Sequence, residues 1–246
     1  MNAENKYENL IFYDVDTQKD FMNRDGALFI SALEEATESD VPYGAEKIKP
    51  NLALLENYRT EKGIRKMGSR DRHFPHDLEL SRVGGPFPDH CMDKTEGLER
   101  ISETTTDAVY LEHKIGEEEC GRAIYKNYSE LELEEIAASG KNIIFEKQHY
   151  DVFTNPATEK VIAGADVKKA IVYGVATDYC DRAAVIGMLE RGVEVYFVID
   201  AAKEVNINFQ GEVDMLFGRN AIAEMVEAGA KPITTENVLA EMYLRH

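Results

Sequence analysis

Short apolar runs alternate along the chain with stretches whose apolar residues recur at helical spacing. NLIFYDVD (9–16) is a continuous apolar run ending in acids, the form of a parallel strand buried on both faces. AEKIKPNLALLENYRTEKG (45–63) carries Ile48, Leu52, Leu55 and Tyr58 at helical spacing and stops at Gly63. GIRKMGSRD (63–71) predicts a weaker second strand. KNIIFEK (141–147) and KKAIVYGV (168–175) predict two more, with a short helix, NPATEKVIAGA (155–165), between them. There follow a helix from Cys180 to about Arg191, the strand VEVYFVID (193–200), the helix FGRNAIAEMVEAG (217–229), a strand near KPITT and a terminal helix. Strand and helix alternating in this way predict an α/β fold. It would be doubly wound and Rossmann-like, with three α/β/α layers and a mostly parallel central sheet of about six strands.

Two stretches break the rhythm. Residues 72–100 hold Gly84–Gly85, three prolines and three histidines with little periodicity, so they predict a long loop of the kind that usually carries function. Residues 103–140 are acidic and partly helical, and read as an insertion within a single domain spanning 1–246. Within them GEEEC reads as a solvated face.

Composition narrows the partners. The formal net charge of −18 disfavours a nucleic-acid surface or attraction to anionic lipid, since both need clustered Lys and Arg. No apolar run approaches the ~20 residues that span a bilayer, and MNAENKYENL lacks the layout of a secretory signal. Cys91, Cys120 and Cys180 are widely spaced and odd in number, which argues against a disulfide framework and fits a reducing cytoplasm. We therefore expect a cytoplasmic homo-oligomer with a small-molecule substrate and neither nucleic acid nor membrane as partner.

Sites in open α/β sheets lie beyond the carboxyl ends of the strands. Reading the residues there yields Asp14 and Asp16, then Asp71, then Lys147, then Cys180, so one rim offers a carboxylate, an amine and a thiol. In GVATDYCDR (174–182), Thr177 has the chemistry of an N-cap, which would place Cys180 in the first helical turn, where the helix dipole favours a thiolate. Free N–H groups of that turn would also receive an oxyanion, and the small Gly174 and Ala176 would let a substrate approach. In the loop, Asp71 and His73 sit two apart and His90 follows, a plausible set for a divalent transition metal such as Zn, Fe or Mn. His76 and Glu79 are candidates for a further ligand.

Four segments, in order, resemble the isochorismatase-like cysteine hydrolases and within them the nicotinamidases. DTQKDF (16–21) is similar to the family's D-x-Q-x-D-F opening, RDRH with FPDHC (87–91) to the nicotinamidase metal motif, FEKQHYDVF (145–153) to the segment bearing a catalytic lysine, and GVATDYCDR to the nucleophile motif. The resemblance implies a metal-dependent amidase of pyridine nucleotide metabolism (NAD salvage) that hydrolyses nicotinamide, or a close heteroaromatic carboxamide, to the acid and ammonia through a thioester. Asp16, Lys147 and Cys180 would be catalytic, and the N–H groups of Ala176 and Cys180 would form the oxyanion hole, with a cis Val175–Ala176 peptide. Asp71, His73 and His90 would hold the metal, Zn ahead of Fe or Mn, with Glu79 a better match than His76 for an extra position. Phe21 and Phe87 would flank the ring, with Tyr150 or Phe153 as a further wall. Departures are Arg72 where many relatives have an aromatic residue, Asp89 in place of a frequent proline, and the absence of Trp. The alternatives are a sibling hydrolase of another amide, carbamoyl or ureido substrate, and a non-catalytic metabolite-binding protein on the same fold. The complete acid–lysine–cysteine set argues against the latter.

Overall fold

A computed structural model describes residues 6–35, 38, 41–112 and 128–244. Its strands are β1 (Leu10–Val15), β2 (Arg65–Asp71), β3 (Val109–Leu111), β4 (Ile143–Lys147), β5 (Lys169–Val175), β6 (Glu194–Lys203) and β7 (Lys231–Ile233). They form one sheet in the order β3–β4–β2–β1–β5–β6–β7, and each pairing is parallel. The helices are α1 (Lys19–Met22), α2 (Lys49–Lys62), α3 (Glu130–Ala138), α4 (Pro156–Gly164), α5 (Arg182–Glu190), α6 (Phe217–Glu227) and α7 (Thr235–Leu239). Helices α3 and α4 pack together, as do α2 and α7, and α5 and α6. The α/β architecture is the expected one, with seven strands rather than about six. The added strand, β3, is a half-buried three-residue edge strand too short for periodicity to reveal.

Local chemistry explains the boundaries. All six residues of β1 are buried, as a central parallel strand requires. Helix α2 ends where Gly63 takes a left-handed conformation (φ 65°). Asn155 caps α4 by accepting from Ala157 N–H, and Ser129 with Glu132 forms a capping box on α3. Both β3 and α3 lie in the 103–140 stretch, while residues 113–127, which include Cys120 and GEEEC, lie outside the described residues. Among the described residues no helix is long and apolar enough to cross a membrane.

Strand β1 is flanked by β2 on one side and β5 on the other, so the winding reverses there. The carboxyl ends of β1, β2, β4 and β5 thus meet at one place, with Val15 level with Ser69 and Gly174, and Asp71 level with Lys147. Beneath that rim lies a buried ionic network. Asp14 Oδ2 is 2.6 Å from Arg100 Nη1 and 2.7 Å from Lys66 Nζ, and Lys66 also contacts Glu56 Oε1 at 2.8 Å and donates to the Thr104 carbonyl. Burial pushes the Asp14 carboxyl up, but Arg100 and Lys66 outweigh it and hold the group below the usual carboxylate range. A lowered folded-state pKa stabilises the fold above the unfolded value of about 3.9, and that contribution is lost as pH falls through the folded value. Asp14→Ala, which strips two buried cations of their shared carboxylate, is expected to cost about 3–5 kcal/mol in urea unfolding at pH 7. A loss below about 1 kcal/mol would mean that Glu56 and the carbonyl groups satisfy the cations alone.

Candidate active site

Asp16 leaves the end of β1 in a left-handed conformation (φ 48°), fully buried. Its Oδ1 accepts from Ser69 Oγ at 2.8 Å, and its Oδ2 stands 2.8 Å from Lys147 Nζ as an ion pair rather than an aligned hydrogen bond. Lys147, the last residue of β4, also donates to Asp71 Oδ1 and to Cys180 Sγ, the latter at 3.2 Å. Asp16, Asp71 and Cys180 have polar atoms within 4.8 Å of one another, and the Lys147 ammonium supplies the cation among them. Burial alone would push the lysine down, but Asp16 and Asp71 hold it well above its ordinary value. The two carboxylates split: burial and the Asp71 charge push Asp16 up against the pull of Lys147, whereas for Asp71 the pull of Lys147 and His73 overcomes burial and holds it down.

Cys180 sits on a π-helical turn, Thr177–Asp181, that runs into α5. Asp181 N–H donates to the Ala176 carbonyl at 3.1 Å, five residues back. The turn therefore begins at Ala176, and Thr177 is its first helical residue without a side-chain cap, contrary to the N-cap expected from the sequence. The Val175–Ala176 peptide is cis, as the resemblance implied. Gly174 (φ 136°) has a different use from the one expected. The space a side chain would take is filled by the Val15 backbone, so glycine there lets the nucleophile segment close against the end of β1 rather than admitting a ligand. Nor is the thiol acidic at rest: burial pushes it well above its ordinary value, and Lys147 opposes this without reversing it. A thiol in this setting needs a base.

Beside this cluster stands a second one. Asp71, His73, Glu79 and His90 place ligand atoms within 4.8 Å of one another. His73 Nε2 lies 3.9 Å from Asp71 Oδ2, and His90 Nε2 lies 3.9 Å from Glu79 Oε1. Both Nε2 atoms are buried without a hydrogen-bond partner among the described residues, while each Nδ1 is engaged: His73 with Asp77 Oδ2 at 3.1 Å, His90 with the Pro88 carbonyl at 2.7 Å. Two orphaned imidazole nitrogens converging with two carboxylates fit a divalent transition metal. His76 is exposed and outside the cluster. Burial, overcome by the neighbouring Asp71 and Asp77 carboxylates, leaves His73 raised to about 10. Burial and the His73 charge lower His90 to about 4, and burial with the Asp71 charge raises Glu79 to about 8.

The 72–100 segment, expected as a loop, is held by its own backbone bonds. His73 N–H donates to the Cys91 carbonyl at 3.0 Å and Asp93 N–H to the His73 carbonyl at 2.9 Å, which brings the two imidazoles to 4.5 Å between centroids. Phe87 N–H donates to the Glu79 carbonyl at 3.2 Å, closing the turn around Gly84 and setting Glu79 beside His90. Arg72 alternates away from its neighbours Asp71 and His73 and joins Asp93 (Nε to Oδ1, 2.9 Å) to Glu146 (Nη1 to Oε2, 2.9 Å). Asp89 pairs with Arg82 and adds no charge to the cluster.

A pocket opens onto both clusters. Its walls include Phe21, Phe87, Tyr150 and Tyr179, and Ala176 and Cys180 line its floor with Asp71, Glu79 and His90. Phe21 lies 5.4 Å from the His90 ring and Phe87 6.3 Å from that of Tyr150. Phe153, the other aromatic candidate, packs instead under Arg191, whose guanidinium stands 3.7 Å from the ring centroid. Tyr179, a wall residue not expected from the sequence although it adjoins Cys180, donates its hydroxyl to the Ile207 carbonyl at 2.6 Å. Also missed were Gln18, which exchanges hydrogen bonds with the Asp71 backbone at 2.7 Å in both directions, and Asp20, which accepts from Cys91 N–H at 2.7 Å. A side chain at Gly97 would run into that Asp20 carboxylate. Both acceptors lie in DTQKDF, so the motif itself was the available signal.

A thiol turn at the switch point of a parallel α/β sheet, facing an acid and an amine from neighbouring strands, describes a class of hydrolase-like α/β proteins rather than a nucleotide binder. An isochorismatase domain matches residues 15–237, and the chain belongs to the isochorismatase family. Isochorismatase domain-containing protein 2 of Xenopus laevis is 26% identical over 98 residues, which cover 40% of this chain and 44% of that protein. The pyrazinamidase of Pyrococcus horikoshii, solved in complex with zinc, superposes with a TM-score of 0.63 at 24% identity, covering 92% of this chain and 99% of that one. A nicotinamidase/pyrazinamidase of Acinetobacter baumanii superposes at 0.65 with 14% identity, covering 94% and 98%. These two likenesses establish a shared fold.

Proposed function

We propose that the protein is a metal-containing cysteine amidase that hydrolyses nicotinamide, or a close heteroaromatic carboxamide, to the carboxylic acid and ammonia. The observation that carries this reading is the contact of one buried ammonium, Lys147, with both Asp16 and the Cys180 thiol at the floor of an aromatic-walled pocket. The family and the nicotinamidase and pyrazinamidase neighbours support it.

In the proposed reaction the Cys180 thiol gives its proton to Asp16, and the sulfur attacks the carboxamide carbon. The carbonyl oxygen takes the negative charge and is met by the N–H groups of Ala176 and Cys180. The acid form of Asp16 returns the proton to the departing nitrogen, so ammonia leaves and a thioester remains. Asp16 then takes a proton from water, the hydroxide adds to the thioester carbon, and the C–S bond breaks to give the acid as the Cys180 sulfur takes that proton back from Asp16. The raised thiol suits this order, because a thiol that stays protonated at rest needs a base to take its proton before the sulfur attacks. Proton-transfer contacts commonly tighten on substrate binding, and Asp16 and Cys180 already stand within 4.8 Å of each other.

Asp71, His73 and His90, with Glu79 beside them, would hold a divalent ion (Zn, Fe or Mn), whose chemistry here is to bind a pyridine nitrogen and so orient the ring. Phe21, Phe87 and Tyr150 enclose that ring and exclude water. The proposed setting is cytoplasmic, with a small amide as partner and the chain acting as a homo-oligomer.

Ammonia release from nicotinamide, pyrazinamide and aliphatic amides is the test, on protein as purified, after chelation and after repletion with Zn, Fe or Mn. Release should be fastest from the ring amides, fall on chelation by about 10-fold or more and return with a metal. No release from any amide by metal-loaded protein would sink the amidase reading, and indifference to chelation would remove the ring-anchoring ion.

A further inference from the structure

His73 and His90 differ in what holds them. His90 Nδ1 meets a neutral backbone carbonyl, that of Pro88, at 2.7 Å. His73 Nδ1 meets a carboxylate, Asp77 Oδ2, at 3.1 Å, and the same oxygen accepts Phe74 N–H at 2.8 Å. Asp77 is 7% exposed and His73 fully buried, so this pair is shielded from water. The chain turns back sharply at this point, with Asp77 N–H on the Phe74 carbonyl and Leu80 N–H on that of Asp77, both at 3.0 Å. That turn is what carries the carboxylate back to the imidazole.

We propose that Asp77 is a positioning residue that fixes His73 as a metal ligand, holding a proton on Nδ1 and leaving Nε2, which faces Asp71 and His90, as the nitrogen that meets the ion. The inference rests on the metal reading above and extends it to a residue outside the ligand set. A carboxylate accepting from Nδ1–H locks the tautomer and the ring plane, and makes Nε2 a better donor than a carbonyl partner would. The two imidazoles are therefore unequal ligands, and retention of the ion depends on Asp77 more than on the Pro88 carbonyl. The competing account is local: Asp77 only caps the 74–77 turn through Phe74 N–H.

Two substitutions separate these accounts. Asp77→Asn keeps an oxygen for Phe74 N–H but removes the negative charge facing His73; Asp77→Ala removes both. Zn2+ and Co2+ affinity of the whole protein would be measured by chelator competition, alongside the visible d–d bands of the Co2+ form and the thermal midpoint of metal-free protein. Asp77→Ala is expected to weaken metal binding by about 10–100-fold, and Asp77→Asn by at least about 3-fold. Altered Co2+ bands and an unchanged metal-free midpoint in Asp77→Asn should accompany the loss. Wild-type affinity in Asp77→Asn, with a lowered metal-free midpoint in Asp77→Ala, would overturn the inference in favour of the turn cap. Wild-type affinity in both variants would overturn it also. Wild-type protein that takes up neither ion would overturn the metal reading and this inference with it.

Discussion

Cys180→Ala is expected to abolish ammonia release, lowering turnover by about 10⁴-fold or more, because among the described residues that line the pocket no other carries a thiol to form the acyl intermediate. The buried Cys91 is no substitute: its sulfur faces the Gly97 carbonyl at 3.9 Å, away from the residues that line the pocket. The variant should fold. Cys180 is buried at the pocket floor, and trimming one sulfur there should cost no more than about 1–2 kcal/mol. Mass spectrometry of acid-quenched wild-type turnover should show the acyl adduct on the peptide containing Cys180 and none in the variant. A variant turning over within about tenfold of wild type would rule out a covalent role for this thiol.

Lys147→Met should be nearly as damaging, for a different reason. One ammonium faces Asp16, Asp71 and Cys180, so its removal leaves the buried Asp16 carboxylate without a cation and Asp71 with His73 alone. The expected loss is about 3–5 kcal/mol of stability and about 10²–10⁴-fold in kcat/KM. The pH profile distinguishes an electrostatic role from mere destabilisation. Burial and Asp71 raise the Asp16 carboxyl, while Lys147 restrains it. Without Lys147 that pKa climbs further, and since only ionised Asp16 can take the thiol proton, the acid limb of kcat/KM must move to higher pH. An acid limb that stays in place or moves to lower pH would show that Asp16 is not the base. Lys147→Arg should rescue poorly, because a planar guanidinium cannot place a compact charge among three groups in one buried site.

Much of the scaffold was readable because strands of a parallel sheet are apolar throughout. NLIFYDVD and KKAIVYGV announce β1 and β5 by hydropathy alone, and the residues that end those strands are then the site candidates. GIRKMGSRD read weakly because Lys66 lies in its middle, yet Lys66 is fully buried. Its partners, Asp14, Glu56 and Thr104, come from distant parts of the chain, and no local pattern encodes them. The Thr177 cap failed for a related reason. Cap chemistry is a local preference, whereas the observed turn begins at Ala176 and continues as a π turn, directly after Gly174 has packed against the Val15 backbone. No local pattern marks Asp77 or Tyr179, because each works through a neighbour in space, His73 in one case and the pocket wall in the other.

The sequence by itself determined the parallel α/β class, the identity of the groups at the strand ends and, through four ordered motifs, the family. These are properties of strand hydropathy and of short segments, and short segments carry them intact. Only the tertiary structure decided which acids meet Lys147, that Glu79 rather than His76 joins the two histidines, and that the thiol is raised rather than lowered. Each of these depends on burial and on charges brought within a few ångströms from separate strands, and neither quantity exists until the sheet has formed.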